Sequence, residues 1–100
     1  MGEERRQHPR IECRFPASAY GPRGPIRGTC TNISVGGLFL EGVVISQESV
    51  TAVVTVEFPT GALSFHAQVR RVSLTPRGTG FQFLRLEPQH VAALQKYTTK

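Results

Sequence analysis

This chain of 100 residues is poor in several residue types. It has no Asp and no Trp, a single Asn, one Met and two Cys. Without Asp a Ser-His-Asp triad is excluded, because His66 has no aspartate to orient it. The sequence also contains no carboxylate pair suited to acid–base chemistry, no G-x-S-x-G elbow and no Walker-type phosphate loop. We therefore predict that the protein is not an enzyme.

Long apolar runs are missing as well. No run approaches the ~18–20 residues that a membrane-spanning helix requires. The first six residues, Met1 to Arg6, are too charged for the apolar region of a secretory signal. We therefore expect a cytoplasmic protein that does not insert into a membrane.

The two cysteines, Cys13 and Cys30, are too few for a four-ligand zinc site. His8, His66 and His90 show no ligand spacing around them that would complete one. Both cysteines lie among alternating apolar residues, a pattern typical of buried, inert thiols. We expect no metal, no cofactor and no disulfide framework.

The charge of the chain is predominantly positive. The formal net charge is +5, ten of the twelve basic residues are Arg, and six of those ten lie in residues 1–27. Guanidinium is a planar fork of donors that binds phosphates and guanine edges with two hydrogen bonds at once. The composition therefore favours an anionic partner, although arginine that serves only solubility explains it equally well.

Six short segments predict β-strands: in most of them apolar and polar residues alternate, the period of a half-buried strand, and residues 38–40 are a short apolar run. The segments are 11–19, 26–33, 38–40, 50–58, 63–69 and 80–84. Turn clusters at 21–25, 32–37, 59–61 and 76–78 separate them, and residues 41–49 fit no element. Pro16 places the first strand at an edge or a bulge.

A short helix is predicted at the C-terminal end. Pro88 suits the first position of a helix, and Val91, Leu94 and Tyr97 would form its apolar stripe. Six strands followed by one helix predict a small antiparallel sandwich or barrel, in a single domain over residues 11–100. Residues 1–10 are charged and predict an exposed, flexible arm.

We expect the basic residues of the strands to lie in solvent and their aromatic residues to pack in the core. Arg70 and Arg71 are expected on a solvated face, with one of them bordering a ligand as the alternative. The phenylalanines predicted for the core rather than for stacking on a base are Phe39, Phe58, Phe65, Phe81 and Phe83.

Two short motifs remain. The first is R-x-x-x-R at Arg6–Arg10, preceded by Arg5, and the second is N-x-S-x-x-G at Asn32–Gly37. In a chain so rich in Arg the first spacing is expected by chance, whereas the second is rarer. By itself, the second motif has a simple role, because Asn and Ser commonly close β-turns.

In this order the two motifs resemble those of the PilZ family of cyclic di-GMP receptors. The segment Gly78–Phe83 also looks like the G-x-G-[FV]-x-F of that family's last strand, so the resemblance covers nearly the whole chain. Asn32 stands where Asp is commoner in the family. The resemblance implies an all-β fold: a six-stranded antiparallel β-barrel with a short C-terminal helix.

The resemblance also implies a site for cyclic di-GMP. Its residues are Arg5, Arg6, Arg10, Asn32, Ser34, Gly36 and Gly37. An Arg can clamp a phosphate, read the O6 and N7 of guanine, or stack on a base. Asn and Ser offer short-range donors and acceptors, and the glycines permit positive φ and close approach of a ligand. The arm would order over the ligand, and an Arg directly before R-x-x-x-R resembles a marker for two intercalated ligands.

Three functions follow, in order of preference. The first is a receptor that binds cyclic di-GMP and relays the signal to an unidentified effector protein, in motility, exopolysaccharide or biofilm regulation. The second is a PilZ-like interaction module that does not bind nucleotide, which is less favoured because both motifs are intact. The third is a small barrel for single-stranded nucleic acid, which would carry its aromatic residues on an outer face rather than in the core.

Overall fold

The computed structural model describes residues 10–21, 24–45 and 50–98. These residues form six strands and one helix, all in the predicted order. The strands are β1 (Ile11–Gly21), β2 (Gly24–Ile33), β3 (Gly37–Glu41), β4 (Thr51–Phe58), β5 (Gly61–Leu74) and β6 (Arg77–Arg85), and the helix is α1 (Pro88–Thr98). The predicted arm lies outside the described residues except for Arg10.

The six strands close into an antiparallel barrel. Their order around the ring is β1-β2-β3-β6-β5-β4, and β4 returns to pair with β1. The closing ladder joins Ala17 to Val56 and Ala19 to Val54. The fold is therefore the predicted six-stranded barrel with a C-terminal helix, and not a two-sheet sandwich.

The barrel interior holds the residues that alternation assigns to it. Phe58, Phe65, Phe81 and Phe83 are buried in one cluster, and the rings of Phe65 and Phe83 stack with their centroids 4.8 Å apart. Phe39 is also buried, as predicted, but it lies outside this cluster. The residues on either side of Phe39, Leu38 and Leu40, point into the barrel, so Phe39 lies on its outer side.

Two local predictions change at strand ends. The turn expected at 76–78 lies at Thr75–Pro76, and β6 already begins at Arg77. Gly78 therefore lies in β6 rather than in the turn. Glycine is needed there because a Cβ would lie 2.5 Å from the backbone of β3.

Pro16 lies just before the ladder from β1 to β4, which begins at Ala17. However, β1 is not an edge strand because the barrel is closed. The bulge of β1 lies nearby, between Glu12 and Phe15.

The helix is fixed by its first turn. The backbone N–H of Glu87 donates to Nδ1 of His90 at 3.1 Å, so the side chain caps the helix start. The other ring nitrogen, Nε2, therefore carries the hydrogen and donates to the carbonyl of Ser64 on β5 at 2.9 Å. His90 thus ties α1 to the barrel, a role that the apolar stripe did not predict.

Apolar contacts hold the rest of the helix. Leu94 of the predicted stripe is buried, whereas Val91 and Tyr97 are half-buried. The ring of Tyr97 stacks on Phe58 at 4.9 Å and meets Phe15 edge-on at 5.7 Å. The helix therefore packs on the end of the barrel where β1 and β4 present aromatic rings.

The segment after β3 is irregular but anchored. Val43 and Ile45 are buried, and the hydroxyl of Thr79 donates to the carbonyl of Val43 at 2.6 Å. The same oxygen accepts from the N–H of Ile45 at 3.2 Å. Residues 46–49, which also belong to the segment without a predicted element, lie outside the described residues.

Candidate functional site

The turn between β2 and β3 is closed by Ser34. Its Oγ accepts hydrogen bonds from the N–H groups of Gly36 at 3.0 Å and Gly37 at 3.3 Å. Its own N–H donates to the carbonyl of Gly37 at 2.8 Å. Ser34 is buried, so its hydroxyl serves to fix the backbone of the turn.

The two glycines of the motif, Gly36 and Gly37, lie directly against β6. A Cβ on Gly37 would lie 2.1 Å from the carbonyl oxygen of Phe81, so only glycine allows β3 and β6 to approach. The carbonyl of Gly36 accepts from the N–H of Phe83 at 3.0 Å. Positive φ, which the sequence suggested for this pair, occurs among the described glycines at Gly24, Gly42 and Gly61 instead.

Asn32 connects the turn to the arm. Nη1 of Arg10 donates to Oδ1 of Asn32 at 2.6 Å, a contact between residues 22 apart in the chain. The contact is short because guanidinium is charged. The last arginine of the first motif therefore meets the first residue of the second motif. Arg5 and Arg6 lie outside the described residues.

These residues line an open groove of about 510 Å³, a size typical of small-molecule sites, ~300–1,000 Å³. The groove brings together Arg10 and four of the turn residues predicted for the site. Its described lining is Arg10, Asn32, Ser34, Gly36, Gly37, Phe39, Arg70, Arg71, Gly80, Phe81 and Gln82. None of these described residues is acidic, so the groove favours an anion.

Arg70 and Arg71 both face the groove because β5 contains a bulge. Val69 pairs with Phe81 and Arg71 pairs with Gly80, so Arg70 is an extra residue opposite β6. In a regular strand two successive side chains would point to opposite faces. The bulge instead places both guanidinium groups at the groove, where the sequence expected a solvated face with one of them near a ligand as the alternative.

Phe39 and Gln82 complete the groove, and sequence reasoning missed them as well. The ring of Phe39 lies over the glycines of β6, since a Cβ on Gly78 would meet it at 2.6 Å. The stem of Arg71 covers Gly80, where a Cβ would be 3.7 Å from Cγ. For Arg70 and Arg71 the sequence held a signal, a break in the alternation of β5, because its inward positions run to Val69 and resume at Val72.

The described residues hold neither a cluster of metal ligands nor a helix that could span a membrane. No group of three or more His, Cys, Asp or Glu side chains in residues 10–21, 24–45 and 50–98 is placed to hold a metal ion. Within the same ranges, no helix has the length and apolar character needed to cross a membrane.

Fold and groove together define a class of protein, a small closed β-barrel domain with a basic groove beside one turn. The sequence profile of the PilZ domain matches residues 4–100, and the chain belongs to the PilZ domain family. A comparison with curated proteins gives no match.

Solved structures share the fold. The PilZ domain with c-di-GMP of YcgR from Escherichia coli superposes with a TM-score of 0.76 at 21% identity, over 94% of this chain and 88% of that one. YcgR in complex with c-di-GMP, from the same organism, gives 0.79 at 24% identity over 92% and 43%. MotI/DgrA, the inhibitor of motility of Bacillus subtilis, gives 0.77 at 21% identity over 94% and 49%. This chain therefore spans about half the length of MotI/DgrA, whose covered share is 49%.

Proposed function

We propose that this chain is a binding protein and not an enzyme, and that it binds cyclic di-GMP in the groove beside the β2–β3 turn. The observation that carries the proposal is the 2.6 Å contact between Arg10 and Asn32. It joins the two sequence motifs at a groove to which Arg70 and Arg71 add positive charge.

The chemistry of the groove suits this ligand. Cyclic di-GMP has two phosphates and two guanines, and each guanine presents O6 and N7 to a forked donor. Arg10, Arg70 and Arg71 can supply charge-assisted bonds to phosphate or guanine. Asn32 has a side-chain N–H₂ in addition to the oxygen that accepts from Arg10, so it can donate to a base.

Likeness to proteins of known ligand supports the proposal. The chain belongs to the PilZ family, and two solved YcgR structures with the same fold contain c-di-GMP. We propose that Arg6 of the first motif, and Arg5 directly before it, also reach this groove. We propose that Arg6 and Arg10 clamp one ligand and that Arg5 stacks on a second, so that two intercalated ligands bind per chain.

The signal would pass along β1 to α1 and an effector protein. Arg10 directly precedes β1, and Phe15 of that strand lies 5.3 Å from the ring of Phe58 and 5.7 Å from that of Tyr97. A shift of β1 on ligand binding would thus reach the helix through packed rings. Under this proposal the chain acts in the bacterial cytoplasm, in regulation of motility, exopolysaccharide or biofilm.

Calorimetry tests the proposal directly. We expect cyclic di-GMP to bind the wild-type chain saturably, with a ratio of two, and the heat to vanish in the Arg6→Ala, Arg10→Ala double variant. Arg27 and Arg85 are exposed and do not line the groove, so their double alanine variant has the same charge and should bind normally.

Three results would contradict the proposal. No heat in the wild type would favour an interaction module that does not bind nucleotide. Equal weakening in both double variants would mean that net charge alone matters. Tight, steeply salt-dependent binding of single-stranded oligonucleotide without a fixed ratio would favour the nucleic-acid barrel.

A further inference from the structure

The two cysteines face each other across β1 and β2. Their Sγ atoms are 3.8 Å apart. Cys13 lies in a bulge, because β1 has two residues between Glu12 and Phe15 where β2 has one between Asn32 and Cys30. A bulge leaves part of the ladder unpaired, so the backbone there can adjust more easily than in a regular pair.

The two thiols differ in access and in acidity. Cys30 is fully buried, whereas Cys13 is half-buried and borders a second groove of about 620 Å³, next to Arg14 and Glu41. A hydrogen bond from Cys30 lowers the pKa of the Cys13 thiol, and this bond together with burial raises the pKa of the Cys30 thiol. Cys13 is therefore the more accessible thiol and the one with the lowered pKa, and its half-buried position corrects the expectation that both thiols are buried.

We propose that Cys13 and Cys30 close to an intrachain disulfide when the chain meets a hydroperoxide, and that this bond loosens the contact of Arg10 with Asn32. The Cys13 thiolate attacks a peroxide oxygen, the O–O bond breaks, and Cys13 becomes a sulfenic acid. The sulfur of Cys30 then attacks that of Cys13, and the departing hydroxide takes the proton of Cys30. The two thiols lose two electrons, and hydrogen peroxide is reduced to two molecules of water.

The disulfide would act on the groove through Asn32. A disulfide needs about 2.05 Å between sulfurs, so the two sulfurs must approach from the present 3.8 Å by rotation of both side chains and adjustment of the bulged backbone. The single S–H of Cys30 is shared between Sγ of Cys13 and the backbone carbonyl of Asn32, 3.4 Å away, and oxidation removes that hydrogen. Cys30 is two residues before Asn32 and Cys13 is three residues after Arg10, so both ends of the 2.6 Å contact are disturbed.

The first experiment needs no nucleotide. Reduced full-length chain is treated with equimolar hydrogen peroxide, and mass spectrometry follows the intact monomer. We expect a loss of about 2 Da and of both titratable thiols, as two thiol hydrogens leave. The Cys30→Ser variant cannot form the bond and should instead yield a Cys13 sulfenic acid that dimedone traps. Wild-type chain that keeps both thiols, or that forms only disulfide-linked dimers, would overturn the proposal.

Asn32 reports on the groove because it is the only Asn of the chain. With ¹⁵N-asparagine as the only label, its side-chain amide gives one isolated pair of NMR signals. We expect these signals to move on oxidation of the wild type and to stay in place for Cys30→Ser under the same peroxide. If they stay in place in a wild-type chain that has lost 2 Da, the disulfide does not reach Asn32 and the proposed coupling is wrong.

The effect on ligand affinity rests on the proposed function. We expect the disulfide form to bind cyclic di-GMP about tenfold more weakly, the lower range for loss of one hydrogen bond to a charged group. Equal affinity of the two forms would contradict the coupling. A reduced chain that binds no cyclic di-GMP, while the amide of Asn32 still moves on oxidation, would refute the receptor function and support the thiol pair.

Discussion

Gly37 determines how closely the turn approaches β6. Its position opposite the carbonyl of Phe81 leaves no room for a side chain, and Ser34 fixes the neighbouring backbone from within the turn. Neither residue needs to touch a ligand to matter. The single residues of the second motif therefore divide into those that build the turn, Ser34, Gly36 and Gly37, and Asn32, whose side chain faces the groove.

Gly37→Ala should destabilise the chain by about 3 kcal/mol, the upper range for a side chain forced into a packed site. The reason is the 2.1 Å distance between the new Cβ and the carbonyl oxygen of Phe81. Urea unfolding measures the effect. Gly80→Ala is the control, because its Cβ would be at an ordinary 3.7 Å from Arg71. Equal stability of the two variants would show that β3 and β6 are not so closely packed.

The Cys13 thiol should ionise at higher pH when its donor is removed. The hydrogen bond from Cys30 lowers the pKa of Cys13, so Cys30→Ala should raise it. The pH profile of alkylation by iodoacetamide, read at Cys13 by mass spectrometry, measures the change. Cys30→Ser retains a hydroxyl donor and should keep the profile closer to that of the wild type. A profile that Cys30→Ala leaves unchanged would contradict the hydrogen bond.

At the scale of elements, bulges decide which side chains meet. Alternation and turn clusters correctly predicted the six strands, and Pro88 with an apolar stripe at helical spacing predicted the helix. Alternation could not place Arg70 and Arg71 together, because one inserted residue in β5 changes the face of every residue after it. The residues of the groove that belong to the two motifs were thus predictable from the sequence. The residues that β5 and β6 contribute were not, because their position depends on pairing between distant segments.

The helix should depend on His90 for its attachment. His90→Ala removes the hydrogen bonds to Glu87 and Ser64, so we expect a loss of about 1–3 kcal/mol in the free energy of unfolding. Chemical denaturation followed by circular dichroism tests it. His66 is exposed on β5, and His66→Ala should leave stability within about 0.5 kcal/mol of the wild type. A similar small effect at His90 would mean that apolar packing alone holds α1.

At the scale of the whole molecule, ligand binding and folding are linked. A ligand that binds only the folded chain stabilises it by about 2.7 kcal/mol at a concentration of one hundred Kd. For a domain of this size the melting temperature should rise by about 10 °C or more. Differential scanning fluorimetry with cyclic di-GMP measures the shift, which should be absent for GTP and for the Arg6→Ala, Arg10→Ala variant. A shift of the same size with GTP would indicate general phosphate binding.

The closed ring of strands limits how an effector can recognise this protein. Each of the six strands has a hydrogen-bonded neighbour on both sides. A partner can therefore extend the sheet only where a strand runs beyond its neighbour, as β1 does before Ala17, and not along a whole strand. An effector would therefore recognise this protein mainly through exposed side chains, including those on the surface of α1. Under the proposed function, specificity for the effector then resides in residues that can change without disturbing the barrel, so one such scaffold can serve different outputs.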